Sequence, residues 1–200
     1  VVKPADVAGM VEQAVKAFGR LDVLVNNAGL FTTLTLKPFD QIGDAEWMRV
    51  MEVNTLGPFV CAKAVVPAMK EKGWGRIINI GSIHALVASP FKSAYVAAKH
   101  GLLGFSKVVA LENADKDITI NTICPAYVKT PLVERQIADQ AKEHNLTEQQ
   151  VVEQIMLAPM PQKAFIGVDE IAGTATFLCS SAARHITAQT LVLDGGWTAR

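Results

Sequence analysis

The strongest constraint on the fold is that the strand-like segments are apolar at consecutive positions and alternate with helix-like segments. Leu21-Asp22-Val23-Leu24-Val25, Arg76-Ile77-Ile78-Asn79-Ile80, Ile118-Thr119-Ile120-Asn121-Thr122-Ile123 and Thr190-Leu191-Val192-Leu193 are the strand candidates. Successive side chains of a strand point to opposite faces, so these runs place apolar groups on both. Such a strand needs cover on each side, which a parallel sheet wrapped by helices provides. The helices are legible too. Val7, Met10, Val11, Ala14, Val15 and Phe18 recur at helical spacing between Pro4 and Gly19. Asp44 offers an N-cap for a long helix to Gly73, with a kink expected near Gly57-Pro58. Ser93 offers an N-cap for a helix to about Asp115. Residues 131–157 read as a helical excursion, in which Thr147-Glu148-Gln149-Gln150 matches a capping box and Pro159 and Pro161 end the run. Asp169 to Cys179 is a further helix. No internal repeat or linker is visible, so residues 1–200 are expected to form a single domain.

Composition narrows the class of partner. Half of the chain is hydrophobic, and 19 Lys+Arg balance 19 Asp+Glu. A chain without net charge offers nucleic acid or an anionic membrane no broad basic field, so neither is an expected partner. It also sets no electrostatic barrier against self-association. No apolar stretch is long enough to span a bilayer. The three cysteines, Cys61, Cys124 and Cys179, lack metal or redox spacing. Their odd number in a cysteine-poor chain fits a reducing cytoplasm, so a cytoplasmic, metal-free protein is expected.

The chemistry-bearing residues fall at the carboxyl ends of the strands, where open α/β sheets bind ligands. Tyr95-Val96-Ala97-Ala98-Lys99 sets a phenol and an ammonium four residues apart on one helix face. A free phenol ionises near about pH 10, and a neighbouring ammonium is expected to lower that value. Tyr95 is then able to exchange a proton with a substrate hydroxyl. Ser82 ends a strand shortly before and can hold the substrate oxygen. Asn26-Asn27-Ala28-Gly29 ends another, where backbone groups can face a nucleotide. Asn54 sits within a helix, where Asn is mildly unfavourable. Pro125-Ala126-Tyr127-Val128-Lys129-Thr130 closes a third strand.

This conjunction, in this order, resembles the short-chain dehydrogenase/reductase family across essentially the whole chain. The resemblance implies a Rossmann-like doubly wound parallel sheet flanked by helices, an oxidoreductase activity, and NAD as cofactor with NADP left open. It implies Tyr95 as acid/base, Lys99 on the nicotinamide ribose, Ser82 orienting the carbonyl or hydroxyl, and Asn54 holding a proton-relay water. Asn26, Ala28 and Gly29 would line the adenosine side, and Pro125, Val128 and Thr130 the nicotinamide, with Tyr95 and Lys99 also touching the cofactor. Ala126 stands where the family usually has Gly. Family members are commonly tetramers, so a homotetramer through the helices around 44–72 and 93–115 is expected.

Ser82 and Tyr95 flank a segment that carries His84 and Lys92, two potential cations that suit a small carboxylate-bearing substrate. Gln136 can add a neutral donor from the excursion. Here the resemblance narrows to the D-3-hydroxybutyrate dehydrogenase branch of the family. It implies that His84, Lys92 and Gln136 hold the carboxylate, that Tyr127 lies against the substrate, and that residues 131–160 form a helical lid. The tail Asp194-Gly195-Gly196-Trp197 belongs to the same likeness. That branch usually has a Gln shortly after Asn-Asn-Ala-Gly. This chain has Leu30-Phe31-Thr32-Thr33, so Thr32 or Thr33 replaces the contact or it is missing. Alternatives are another hydroxy acid, a sugar alcohol, or a non-catalytic partner in an oligomer.

The family's Gly-rich turn, whose backbone N–H groups hold the cofactor pyrophosphate, is not in this sequence. The expectation is therefore a sheet lacking the first strand–helix units, a chain that is part of a longer polypeptide, and weak NAD binding by these 200 residues alone. The strand of residues 21–26 is then expected to be an edge with apolar faces.

Overall fold

The computed structural model describes residues 1–31 and 36–199 and is an α/β arrangement with helices on both faces of a parallel sheet. Helix α1 spans Pro4–Phe18, with Pro at its first turn and Gly19 in the left-handed region (φ 75°) at its end. Strand β1 is Val23–Asn26. Helix α2, Asp44–Met51, runs through a π-helical turn, Glu52–Leu56, into α3, Gly57–Lys72. The kink expected at Gly57-Pro58 takes the form of that wide turn, because Pro58 brings no N–H to the helical ladder. Then come β2 (Trp74–Ile80), α4 (Ser93–Glu112) and β3 (Asp117–Pro125). Helices α5 (Pro131–His144) and α6 (Glu148–Val151) follow, the latter prolonged by a second π-helical turn, Val152–Met156. Helix α7 (Val168–Cys179) and strand β4 (Thr190–Leu193) complete the frame.

Three helix boundaries differ from the sequence reading. Gly43, not Asp44, is the N-cap of α2, and the Glu46 carboxylate accepts from its N–H at 3.2 Å. Lys92 is the N-cap of α4, which leaves Ser93 as the first helical residue with a buried hydroxyl that has no partner. Helix α4 stops at Glu112, and the Asn113 amide turns back to donate to the Val109 carbonyl at 2.6 Å. The capping box at Thr147 forms as expected, with the Gln150 side chain accepting from the Thr147 N–H at 2.9 Å.

The strands lie in the order β1-β2-β3-β4, all parallel. Their registers pair Asn26 with Asn79, Ile80 with Ile123 and Pro125 with Leu193. All four carboxyl ends therefore meet on one side of the sheet. Side-chain alternation splits the core in two. Leu24, Ile77, Ile118 and Ile120 pack with Val7 of α1 and Val65 and Met69 of α3. Ile78 and Ile123 pack with Leu178 of α7 on the opposite face. Strand β1 is an edge strand and is covered on one face only. Leu24 is 9% exposed, whereas Val23 and Val25 are 39% and 47% exposed. Arg76 is a charged residue within this apolar sheet. Its guanidinium donates to the Asp117 carboxylate at 2.9 Å and lies over the Trp74 ring, and these contacts compensate its burial. No helix among the described residues is long and apolar enough to cross a membrane.

Candidate active site

The site is assembled at the carboxyl ends of β1, β2 and β3. At the end of β1 the Asn26 amide donates to Asn79 Oδ1 at 2.8 Å, and Asn79 donates in turn to Ser106 Oγ at 2.9 Å. The Asn26 side chain is thus committed to the sheet. A small cavity of about 110 Å³ lies beside Asn26, Asn27 and Ala28. Gly29 follows where the chain passes close to two other site residues. A Cβ there would meet Asn54 Oδ1 at 3.2 Å and Lys99 Nζ at 3.9 Å.

Asn54 is 1% exposed and sits in the π-helical turn between α2 and α3. Its amide donates to the carbonyls of Leu30 at 2.8 Å and Val50 at 3.0 Å, and its oxygen accepts from the Leu30 N–H at 3.2 Å. It therefore clamps both backbone groups of Leu30 and fixes the exit of the chain from β1. This clamp explains a polar residue in a helix interior, where propensity alone disfavours it.

Tyr95 and Lys99 lie one turn apart on α4, with the ammonium 5.6 Å from the phenol ring centroid. Lys99 is 5% exposed and donates to the Ile80 carbonyl at 2.9 Å. Burial lowers its pKa to about 8. Tyr95 departs from the sequence expectation. Burial dominates and holds the phenol above its usual range, against the opposing effect of the Ser82 hydroxyl beside it. In this state Tyr95 is a protonated acid. Ser82 has extended backbone at the end of β2, and its oxygen accepts from the His84 N–H at 3.2 Å.

His84 is 6% exposed, and its Nε2 lies 3.1 Å from Lys92 Nζ. An ammonium has only donors, so Nε2 accepts and the ring proton rests on Nδ1. Nδ1 is turned toward the Val87 carbonyl but closes no hydrogen bond of normal geometry. Burial, and then the Lys92 charge, lower the His84 pKa to about 4. The expectation of two cations is thereby corrected: at neutral pH Lys92 is charged and His84 is the neutral acceptor that orients it. The Lys92 ammonium also stands 5.5 Å from the centroid of the Phe31 ring. Among the described residues no carboxylate lies within ion-pair distance of it.

These groups face a cavity of about 240 Å³. Ser82, His84, Lys92 and Tyr95 form one side, and Pro125, Ala126, Tyr127, Val128 and Thr130 another. Gln136 reaches it from α5, and Phe31 and Leu36 close it. Thr130 also caps α5, its hydroxyl accepting from the Val133 N–H at 3.3 Å. Nine of the residues singled out in the sequence thus line one cavity, namely Ser82, His84, Lys92, Tyr95, Pro125, Tyr127, Val128, Thr130 and Gln136. Lys99, Asn54 and Gly29 adjoin one another outside that lining, and Asn26 and Ala28 line the smaller cavity. Thr32 and Thr33 lie outside the described residues.

Sequence reasoning missed three side chains here. Phe31 meets the Tyr95 ring edge-on at 5.0 Å. Gln140, one turn beyond Gln136, lines the cavity with a buried oxygen that has no partner. Trp197 stacks on Tyr127 at 6.3 Å and meets His84 edge-on at 6.1 Å. The signal for Trp197 was the preceding Asp194-Gly195-Gly196. Both glycines have positive φ, 57° and 89°, and Asp194 accepts from the N–H groups of Gly196 and Thr198, which folds the tail back onto Tyr127 and His84.

Comparison with known proteins agrees with this arrangement. A family model described as Enoyl-(Acyl carrier protein) reductase, of the short-chain dehydrogenase/reductase type, matches residues 1–198. A protein named D-beta-hydroxybutyrate dehydrogenase from Rhizobium meliloti (strain 1021) is 48% identical, over 99% of this chain and 76% of its own length. A protein of the same name from Cupriavidus necator is 41% identical over 99% of this chain and 76% of its own length. A 3-oxoacyl-(acyl-carrier-protein) reductase from Escherichia coli (strain K12) is 36% identical over 98% of this chain and 74% of its own length. The chain belongs to the short-chain dehydrogenase/reductase family of nicotinamide-dependent oxidoreductases.

Proposed function

We propose that the chain interconverts D-3-hydroxybutyrate and acetoacetate with NAD as cofactor, and that Tyr95 is the acid/base. The observation that carries this reading is Lys92, a half-buried ammonium beside the acid/base candidate, oriented by His84 and without a carboxylate partner among the described residues. A site built this way takes an anion, and the carboxylate of a small hydroxy acid supplies one. The two relatives named D-beta-hydroxybutyrate dehydrogenase support the same substrate.

The residues at the nicotinamide end fit the cofactor. Lys99 uses one of its three donors on Ile80, leaving two for ribose hydroxyls, and Gly29 leaves room beside it. Pro125, Val128 and Thr130 would wall the nicotinamide ring, and the backbone from Asn26 to Ala28 the adenosine side. When bound, the nicotinamide ring exchanges a hydride with the substrate's carbinol carbon. In ketone reduction Ser82 donates to the substrate oxygen and Tyr95, protonated, delivers the proton to it. In alcohol oxidation Tyr95 takes that proton back, a role that needs its pKa lowered from the value burial imposes. Lys99 acts in that direction, and the positive charge of a bound nicotinamide would add to it. Asn54 holds Leu30, and through it Phe31, against the cleft; a proton-relay role for Asn54 is part of the same proposal.

Residues 1–200 act as one domain, and residues 131–160 act as its lid. Helix α5 carries Gln136 to the cavity yet has no fully buried residue, so it can shift without opening the core. Tyr127, braced by Trp197, lies against the substrate. A homotetramer is proposed through α3 and α4, where Phe59, Val108 and Leu111 are 43%, 54% and 78% exposed. Light scattering is expected to give a tetramer, and Leu111→Asp a smaller species.

The substrate assignment is tested by NADH formation over a panel of hydroxy acids, neutral esters and sugar alcohols, repeated with NADP. D-3-hydroxybutyrate with NAD is expected to give the highest kcat/KM. A higher value for a sugar alcohol or ester overturns the assignment. The neutral state of His84 gives a second expectation. Since its pKa is about 4, KM for the carboxylate stays level between about pH 6 and 7.5. An inflection near the ordinary histidine value contradicts that role. At more alkaline pH KM rises as Lys92, whose pKa burial lowers, gives up its charge.

A further inference from the structure

Two rings touch both Tyr95 and Lys92. One is His84, edge-on to Tyr95 at 6.2 Å and 3.1 Å from the Lys92 ammonium. The other is Phe31, edge-on to Tyr95 at 5.0 Å, with the same ammonium 5.5 Å from its centroid. The nitrogens of His84 are turned to Lys92 and to the Val87 carbonyl, so neither is offered to a ligand substituent. Phe31 has no hydrogen-bonding group at all. On the carboxylate reading above, on which this inference rests, the reacting oxygen sits at Tyr95 and the carboxylate at Lys92. In a 3-hydroxy acid C2 is the one carbon between the carbinol carbon and the carboxylate.

We propose that Phe31 is a specificity-determining residue: seated between Tyr95 and Lys92, its ring faces C2 of a 3-hydroxy acid and selects substrates that carry hydrogen or a small alkyl group there over those that carry a hydroxyl. The ring also presents its face to the Lys92 ammonium, which keeps that charge in place without a second hydrogen-bond acceptor. A hydroxyl at C2 would lose its water and gain no partner against the ring edge. The rejection this produces is bounded, because an apolar wall discriminates against an added hydroxyl by at most about 100-fold.

The experiment compares kcat/KM for 3-hydroxybutyrate, 2-methyl-3-hydroxybutyrate and 2,3-dihydroxybutyrate in the full-length protein and in its Phe31→Gln and Phe31→Leu variants. The unaltered protein is expected to favour the first two over the dihydroxy acid by about 10- to 100-fold. Phe31→Gln, which offers an amide to the C2 hydroxyl, narrows that ratio about tenfold. Phe31→Leu keeps the ratio, because the wall stays apolar, and raises KM for all three acids as the ring face is lost to Lys92. Equal use of the dihydroxy acid by the unaltered protein, or a ratio that Phe31→Gln leaves in place, overturns the proposal. If Phe31→Gln does not fold, the substrate ratio of the unaltered protein and the Phe31→Leu result decide. A protein that turns over neutral alcohols but none of the three acids marks failure of the carboxylate reading itself. Turnover of 3-hydroxybutyrate with no C2 discrimination marks failure of the Phe31 assignment alone.

Discussion

Tyr95→Phe is expected to lower kcat about 1,000-fold while leaving KM for the carboxylate substrate nearly unchanged. The ring supplies packing against Phe31 and His84, and Phe keeps that ring. What the substitution removes is the hydroxyl beside Ser82, the group proposed to deliver or take the proton. The carboxylate end at Lys92 is untouched, so binding persists. Thermal unfolding of the variant should lie close to that of the unaltered protein, because the phenol is held by burial and not by a network of fixed hydrogen bonds. A variant that retains kcat would remove Tyr95 from the chemistry. A loss of activity accompanied by a large fall in Tm would make its role structural.

Lys92→Ala is expected to lower kcat/KM for 3-hydroxybutyrate about 100-fold, mostly through KM, and to change turnover of a neutral ketone little. The asymmetry follows from the site's electrostatics. Among the described residues Lys92 is the single positive group lining that end of the cavity at neutral pH, since the pKa of His84 is lowered to about 4. The burial that depresses the Lys92 pKa also shields it from water, and an entering carboxylate then forms a charge-assisted bond of more than ordinary strength. His84→Ala leaves that charge in place and removes the group that aims it, so its effect on KM is expected to be smaller, about five- to tenfold. Equal losses for acidic and neutral substrates in Lys92→Ala would point to a disturbed cleft in place of a lost anion site.

The parts of the fold that were legible in the sequence are those set by local rules. Consecutive apolar residues in Arg76–Ile80 and Ile118–Ile123 required cover on two faces, and α3, α4 and α7 provide it. The capping box at Thr147 and the stop at Gly19 act within a few residues, and both formed as read. Strand β1 reads as an edge with apolar faces, and Val23 and Val25 are exposed accordingly; which face stays covered, that of Leu24, depends on what packs beside it. The four-residue spacing of Tyr95 and Lys99 fixed their common face without further information. The protonation states were not legible. A lysine neighbour argued for a lowered Tyr95 pKa and a histidine argued for a second cation, yet burial outweighs both, and burial is a property of the assembled cleft. The same holds for Phe31 and Trp197. Their partners are 64 and 70 positions away in sequence, at Tyr95 and Tyr127, and only the chain's path past Asn54 and the turn at Gly195-Gly196 brings them together.

This cleft is proposed to direct hydride to the ketone carbon of a small keto acid while Tyr95 supplies the proton. Reduction of acetoacetate by the full-length protein with NADH carrying deuterium at both C4 positions of the nicotinamide ring tests both parts at once. The expected product is D-3-hydroxybutyrate carrying deuterium at C3 from the cofactor, with a hydroxyl hydrogen that exchanges with solvent. Reduction without deuterium at C3, formation of the opposite enantiomer, or no reduction of acetoacetate under conditions where another carbonyl compound is reduced would contradict it.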